Sequence, residues 1–482
     1  MGVAFVPLYI RALGAENFGL VGFMLSLQAM SLLLDFGIGV FLGRELARRA
    51  HDPVRRGLIR QLIYTFEWLV WPTSAAIALV LMLGSDVIAQ HWLRPQHLSH
   101  AATVSAIRIM GLAVALLWPS SFYTSALTGL EQQPRLNAIA AIFATLRYVG
   151  VLPLLYFTDT GLQGFLWWYV VVAAAQTTCT ALVLWRLLPP ARNPLRFRTV
   201  ELIDARHFAF GIFAITASAL VLSQIDRLTL SALRPLSELG YYTVAVTVSA
   251  GLGRAVQPMF NAIYPRMSRL VASRDHATLV QLYHLASQCL AVIASAIACV
   301  IGFYAESVLW LWTGDATLAA KVALPLAVLV AGSALNGLMN VPYALQLASG
   351  RTRLPIISNT IALLLGIPFC IVAVQRYGMN GAAWLWFAVN FNYVLFVVPL
   401  IHQRLLRGEL GQWYLRDVLP PVIVSLAVTL IAKCLHPTLD RDLAGLMWLA
   451  GIGLIVLAAT ALASTGVRNL LWKLIQRMRS VA

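Results

Sequence analysis

The chain has 482 residues, 60% of them hydrophobic and only 11% charged, with a mean hydropathy of +0.78. A soluble domain is about 45–50% apolar and about 25% charged, so this composition excludes a soluble globular protein, a disordered chain and a secreted disulfide scaffold. The net charge of +16 comes from basic residues scattered between apolar runs, the pattern of cationic loops on one face of a membrane protein; no nucleic-acid partner is expected.

Those runs are long and continuous, which excludes an outer-membrane barrel of alternating strands and points to an all-α, polytopic membrane protein. In chain order, full-length spans are expected at 18–43, 62–84, 101–126, 137–157, 162–185, 208–233, 241–265, 279–304, 323–348, 356–375, 382–402, 419–435 and 443–464. Residues 1–10 make a further segment of only half the roughly 20 residues a crossing needs, so more apolar residues are expected upstream. The tail 465–482 carries Leu471, Trp472, Ile475 and Met478 toward one side and reads as an interfacial amphipathic helix.

Orientation follows from the loops. Those at 44–61, 127–136, 186–207, 266–278, 349–355 and 403–418, with the tail, hold 24 of the 35 Lys and Arg, and the opposite set holds 6. The first set and the C-terminus are therefore expected in the cytoplasm. No loop exceeds about 22 residues, which leaves little material for a periplasmic catalytic domain, and no enzyme activity is expected.

The chain also repeats itself. Glu16-Asn17-Phe18-Gly19 aligns with Ser237-Glu238-Leu239-Gly240, Ala126-Leu127 with Ala344-Leu345, Arg135-Leu136 with Arg353-Leu354, and Gly161-x-x-Gly164-x-x-Trp167 with Gly378-x-x-Gly381-x-x-Trp384. The matches stay in order at a nearly constant offset, the signature of an internal duplication. The expected organisation is an N-terminal six-helix lobe at 1–188, a cytoplasmic linker at 189–207, a C-terminal six-helix lobe at 208–402, an additional helix pair at 403–464 and the amphipathic tail at 465–482. Parallel repeats of this kind place a substrate cavity between lobes that rock to open either side.

A charge at a helix centre costs on the order of 2.5–3.5 kcal/mol, yet Asp35, Glu67, Arg108, Arg147, Asp226, Arg227 and Arg254 all lie within apolar segments. They are expected to face a wet cavity or pair with one another. Arg147 and Arg254 lie deepest and are the first candidates for an anionic group; Arg108 and Arg227 lie nearer the outer ends, where snorkelling competes. Gln28, Asn261, Asn336 and Asn340 fall on polar stripes at i+3/i+4 spacing, suited to line the cavity or to glue helices together. Asp35, Glu67 and Asp226 are candidates for coupling to a proton or sodium gradient, or for salt bridges to the arginines. Trp167, Trp168, Trp384 and Trp386 suit either sugar stacking or an interfacial belt.

Several stretches look familiar together. PLYIRALGAENFGLVGF, LLLDFGIGVFLGRELAR, SQIDRLTLSALRPLSELGYYTVA, PMFNAIYPRMSRL and VLWLWTG resemble the Wzx-type polysaccharide flippases, the O-antigen, capsule and exopolysaccharide exporters of the multidrug/oligosaccharidyl-lipid/polysaccharide exporter superfamily. The resemblance implies a MATE-like fold of two pseudo-symmetric six-helix bundles plus a C-terminal helix pair. It implies transport of undecaprenyl-diphosphate-linked oligosaccharide across the bacterial inner membrane, with membrane lipids and the polysaccharide polymerase and chain-length machinery as partners. A diphosphate suits the planar, permanently charged fork of arginine. The rival readings are a peptidoglycan lipid-precursor flippase, a MATE-type drug antiporter and a membrane polysaccharide polymerase. There is no GxxxxGK[ST], HExxH or CxxC pattern, and the five cysteines have no metal spacing; no cofactor or metal is expected.

Overall fold

Inside a bilayer the backbone amides have no water to bond, so apolar runs of this length must satisfy them within the segment, as helices. The computed structural model describes the backbone of residues 2–50, 52, 58–190, 194–350, 353–436 and 438–479, and their side chains apart from 204–212, 214, 215, 474 and 477–479. Residues 191–193 of the expected linker and the side chain of Met478 thus lie outside the described residues. The described chain is 89% helical, without strands, and 11 helices are long and apolar enough to cross a membrane.

The first compact unit runs from Met1 to Gly240. It holds α1 (Gly2–Ser31), α2 (Ile38–Ala50), α3 (Ile59–Leu83), α4 (His100–Gly129), α5 (Gln133–Val149), α6 (Leu152–Phe157), α7 (Gly161–Leu187) and α8 (Thr199–Leu233). The half-length segment 1–10 is part of α1, which kinks at Gly14, where φ is 80°. The expected span 18–43 is interrupted: a 3₁₀ turn at Leu32–Asp35 and left-handed Phe36 separate α1 from α2. The span 137–157 divides at Gly150 into α5 and α6, with Pro153 in the first turn of α6.

The second unit runs from Tyr241 to Ala482. It contains most of α9 (Leu236–Ala272), then α10 (His276–Phe303), α11 (Ala305–Thr313), α12 (Ala316–Ala348), α13 (Arg353–Tyr377), α14 (Met379–Asn392), α15 (Val398–Leu405), α16 (Leu419–Leu435), α17 (Leu443–Ala463) and α18 (Thr465–Arg479). Asp275, Asp315 and Asp442 cap α10, α12 and α17 by accepting from backbone N–H groups at Thr278, Leu318 and Gly445. The hydroxyl and amide of Thr278 hold the Asp275 carboxyl below its ordinary range.

Packing repeats between the units. In the first, α4 packs against α3 and α7, and α5 packs on α7; in the second, α12 packs against α10 and α14, and α13 packs on α14. The aligned pairs Ala126-Leu127 and Ala344-Leu345 are fully buried in the two central helices. Gly161 and Gly378 are aligned because both turns need positive φ, 50° and 57°. The helix pair α16–α17 covers α10 through Ala296, Val300, Ala432, Ile452 and Val456.

Two glycines at the start of the repeat meet across the first unit. A Cβ on Gly19 would strike the carbonyl oxygen of Leu236, and a Cβ on Gly240 would strike that of Ala15. Ala15 and Leu236 are themselves aligned by the duplication. The two copies of the motif therefore touch reciprocally, each glycine admitting the other's backbone.

Candidate substrate cavity

Side chains from α1, α4, α5 and α7 converge in the first unit. A cavity of about 640 Å³ is lined by Gln28, Trp118, Ser121, Thr124, Arg147 and Gln176 among others. Its cation is Arg147, at the end of α5. The guanidinium donates to Gln176 Oε1 at 2.5 Å and lies 4.7 Å from the Tyr169 ring centroid. Tyr169 in turn donates to Gln28 Oε1 at 3.2 Å. These partners are all neutral, and among the described residues no carboxylate lies within ion-pair distance of Arg147. Its Nε is buried with no bonding partner. The half-buried cation retains donor capacity inside a cavity that mixes polar and apolar side chains, the arrangement an anion would complete.

The other arginines of this unit are placed differently. Arg108 is exposed near the start of α4 and bonds Ser85 Oγ at 3.0 Å and Asp86 Oδ2 at 3.2 Å. It is an end-of-helix ion pair, not part of the cavity lining. Arg227 is half-buried on α8 and reaches Gln224 Oε1 at 3.4 Å.

The three carboxylates also separate. Asp35 accepts from Gly39 N at 3.1 Å and so serves as the first-turn anion of α2. Glu67 accepts from Tyr123 Oη at 2.8 Å and from Trp185 Nε1 at 2.8 Å; Trp71 Nε1 donates to that same tyrosine oxygen at 3.1 Å. Glu67 is thus held by neutral aromatic donors. Asp226 is buried on α8.

The sequence profile of a family described as "Polysaccharide biosynthesis protein" matches residues 1–271, more than half of the chain. The chain belongs to that family. Over 386 residues it is 22% identical to a Shigella flexneri protein named "Putative O-antigen transporter", covering 78% of this chain and 87% of the relative. Its fold is similar to that of the lipid II flippase MurJ in an inward closed conformation, with TM-score 0.70, 12% identity, and 97% and 99% of the two chains covered. It is also similar to an inward-facing multidrug resistance MATE family transporter of the MOP superfamily, with TM-score 0.69, 14% identity, and 83% and 94% covered. The expected MATE-like, all-α membrane fold is therefore the observed one.

In the second unit, Arg254 is exposed on α9 and has no hydrogen-bond or ion-pair partner among the described residues. Asn261, on the same stripe, accepts from Gln257 Nε2 at 3.1 Å. Asn336 donates to Asn390 Oδ1 at 2.8 Å, joining α12 to α14, and Asn340 turns back to the Asn336 carbonyl at 3.0 Å. The two asparagines spend their amide donors on helix contacts. Trp167 and Trp384 are largely exposed; Trp168 bonds the Leu146 carbonyl and Trp386 bonds Ser333 Oγ.

Each unit also holds polar or aromatic groups outside the set derived from the sequence. Gln176 and Tyr169 orient Arg147, yet each is an ordinary polar residue in an apolar run. Phe260 and Tyr264 on α9 and Tyr343 on α12 form a stacked platform in the second unit, with centroids 5.9 and 6.2 Å apart; the i, i+4 spacing of Phe260 and Tyr264 was the available signal, and Tyr343 lies on the sequence stripe of Asn336 and Asn340. A buried cluster also joins α10 to the segment before α16. His284 bonds Asp417 Oδ2 at 2.5 Å and Glu409 Oε2 at 3.1 Å, and Gln288 donates to Asp417 Oδ1 at 2.8 Å. Asp417 fell in an expected loop, but helix continues through it and buries it fully.

Proposed function

We propose that this protein is a flippase that moves undecaprenyl-diphosphate-linked oligosaccharide units from the cytoplasmic to the periplasmic leaflet of the bacterial inner membrane, by alternating access, for surface polysaccharide biosynthesis. The observation that carries this reading is Arg147, a cation at a cavity in the first unit whose hydrogen-bond and ring partners are neutral. A diphosphate is the costly group to carry past hydrocarbon, and a guanidinium lining the cavity meets it with strong, charge-assisted bonds. Family membership and the name of the Shigella flexneri relative support a polysaccharide cargo. Arg254 is the second cation on this reading, and the Phe260–Tyr264–Tyr343 platform suits sugar faces. Glu67 is the preferred coupling carboxyl, because a group held by neutral donors can exchange a proton without breaking an ion pair. The polymerase and chain-length proteins of the same pathway are its partners, and its loop charge puts the C-terminus in the cytoplasm.

The test is complementation of a strain lacking its polysaccharide flippase. A charge-assisted hydrogen bond contributes about 1.5–3 kcal/mol, so Arg147→Ala should lower export about ten- to a hundredfold at normal membrane abundance. Arg147→Lys should keep part of the activity, since charge survives but the fork is lost. Wild-type export by Arg147→Ala would overturn the reading. A peptidoglycan-precursor flippase is the second reading, favoured by the fold likeness to MurJ. Rescue of a strain depleted of its lipid II flippase, with no rescue of surface polysaccharide, would select it.

A further inference from the structure

We propose that the second unit carries a binding site for an anionic phospholipid, formed by α12, α13 and the segment from α14 to α15, and distinct from the transport cavity. A pocket of about 310 Å³ is lined by Gln346, Arg353, Leu354 and Arg404. Leu354 also lines an apolar groove of about 520 Å³ that continues along α13 and α14 past Ile361 to Phe369. A basic pocket and a hydrocarbon-lined groove thus meet at Leu354.

Three observations point to the occupant. Arg353 and Arg404 are exposed at the pocket and have no acidic partner among the described residues, so two guanidinium forks await a phosphate. Gln346 is 1% exposed, yet both polar atoms of its side-chain amide lack a hydrogen-bond partner; a buried amide left unpaired is costly, and a headgroup oxygen would satisfy it. The groove from Leu354 to Phe369 spans about 22 Å of helix, somewhat more than half of a bilayer core of about 30 Å. That depth suits one acyl chain anchored at the same face. Part of the wall is the π-helical turn Tyr393–Val397, a local expansion often found at functional sites, which Tyr393 ties to Asn359 at 2.7 Å. Loop charge assigns this end of the groove to the cytoplasmic face, where anionic headgroups attract basic residues.

The proposal is independent of the transport reading. The test uses the full chain, purified in detergent, stripped of lipid and titrated with dioleoyl phosphatidylglycerol or dioleoyl phosphatidylethanolamine. Bound lipid is counted by native mass spectrometry. Phosphatidylglycerol should form the first adduct at about tenfold lower concentration. The double substitution Arg353→Gln/Arg404→Gln should abolish that preference, and Ala362→Phe, which fills the groove, should lower binding of both lipids. Equal binding of the two lipids by the wild type overturns the proposal, and does so even where a variant fails to fold. Undiminished preference in the double variant also overturns it. Displacement of phosphatidylglycerol by equimolar undecaprenyl phosphate would assign the groove to the isoprenyl lipid instead, and overturn it likewise.

Discussion

Single residues of this protein are held to very different tolerances. Gly19 and Gly240 face backbone carbonyls that cannot retreat, whereas a Cβ on Gly251 or Gly253 would meet nothing within 4 Å. Overpacking a close crossing costs about 1–3 kcal/mol. Gly19→Ala and Gly240→Ala should therefore lower the unfolding midpoint of purified protein by several degrees, while Gly251→Ala should leave it unchanged or slightly raised. Equal midpoints for all three would show that the crossing has room to give. Asp417 is constrained by charge instead. Its carboxylate is fully buried and accepts from His284 and Gln288. Removing one partner of a buried pair costs about 3–5 kcal/mol, so Asp417→Ala should reduce folded yield far more than Glu409→Ala, whose carboxylate stays partly exposed. Comparable yields would remove Asp417 from the fold's critical contacts.

Helices are tied to one another at few, specific points. Arg49 at the end of α2 reaches Glu201 at the start of α8 with a two-pronged contact of 3.2 and 2.7 Å, and its Nε bonds Glu45 at 2.9 Å. Burial opposes the charge, but the bonds to Glu201 and Glu45 outweigh it and hold the Arg49 guanidinium above its ordinary pKa. Arg49→Gln should leave Glu201 buried without its partner, and Glu201→Gln should do the converse to Arg49. The double variant should recover at least about 1 kcal/mol relative to additivity, read as a thermal double-mutant cycle. Strict additivity would mean that the pair contributes nothing as a pair. At the C-terminal end, Gln288 links the same buried cluster to the first turn of α18 through Gly466 N at 2.7 Å. Gln288→Leu should release α18 and raise proteolysis after Ala463, with α16 and α17 still protected. Unchanged proteolysis would show that α18 is held by its membrane-facing side alone.

The whole chain is a multi-pass membrane protein, and its orientation is a prediction of loop charge. Reporter tags after Arg198 and at the C-terminus should read cytoplasm, and a tag near His97 should read periplasm. A periplasmic C-terminus would invert the transport direction proposed above and the leaflet assigned to the phospholipid groove. The two units divide at Gly240 by their internal contacts. The helix Thr199–Leu233, which the duplication counts with the second half, makes its contacts with α1, α2 and α3. A repeat measures ancestry along the chain, whereas contacts measure where a helix rests, and the two need not break at one residue.

What the sequence determined by itself was every property that needs no tertiary contact: helical spans, loop charge, the duplication and the family. The spans and the loop charge are written within about 30 consecutive residues, because a helix satisfies its backbone locally and hydropathy acts segment by segment; the duplication and the family need the whole chain, but only its order of residues and not its contacts. Even there, local breaks escaped it. The turn at Leu32–Asp35 and the break at Gly150 lie inside apolar runs, where hydropathy cannot distinguish a bent helix from a straight one. The roles of the charges inside apolar runs were decided only by tertiary structure. Arg108 and Arg147 are the same residue in similar apolar surroundings, yet one meets Asp86 and the other meets Gln176 and Tyr169. Asp35 and Glu67 likewise part company, one capping a helix and the other caged by Tyr123 and Trp185. What such a charge does is fixed by the groups within about 4 Å of it, and for Arg147 and Glu67 those groups come from other helices, 29 to 118 residues along the chain.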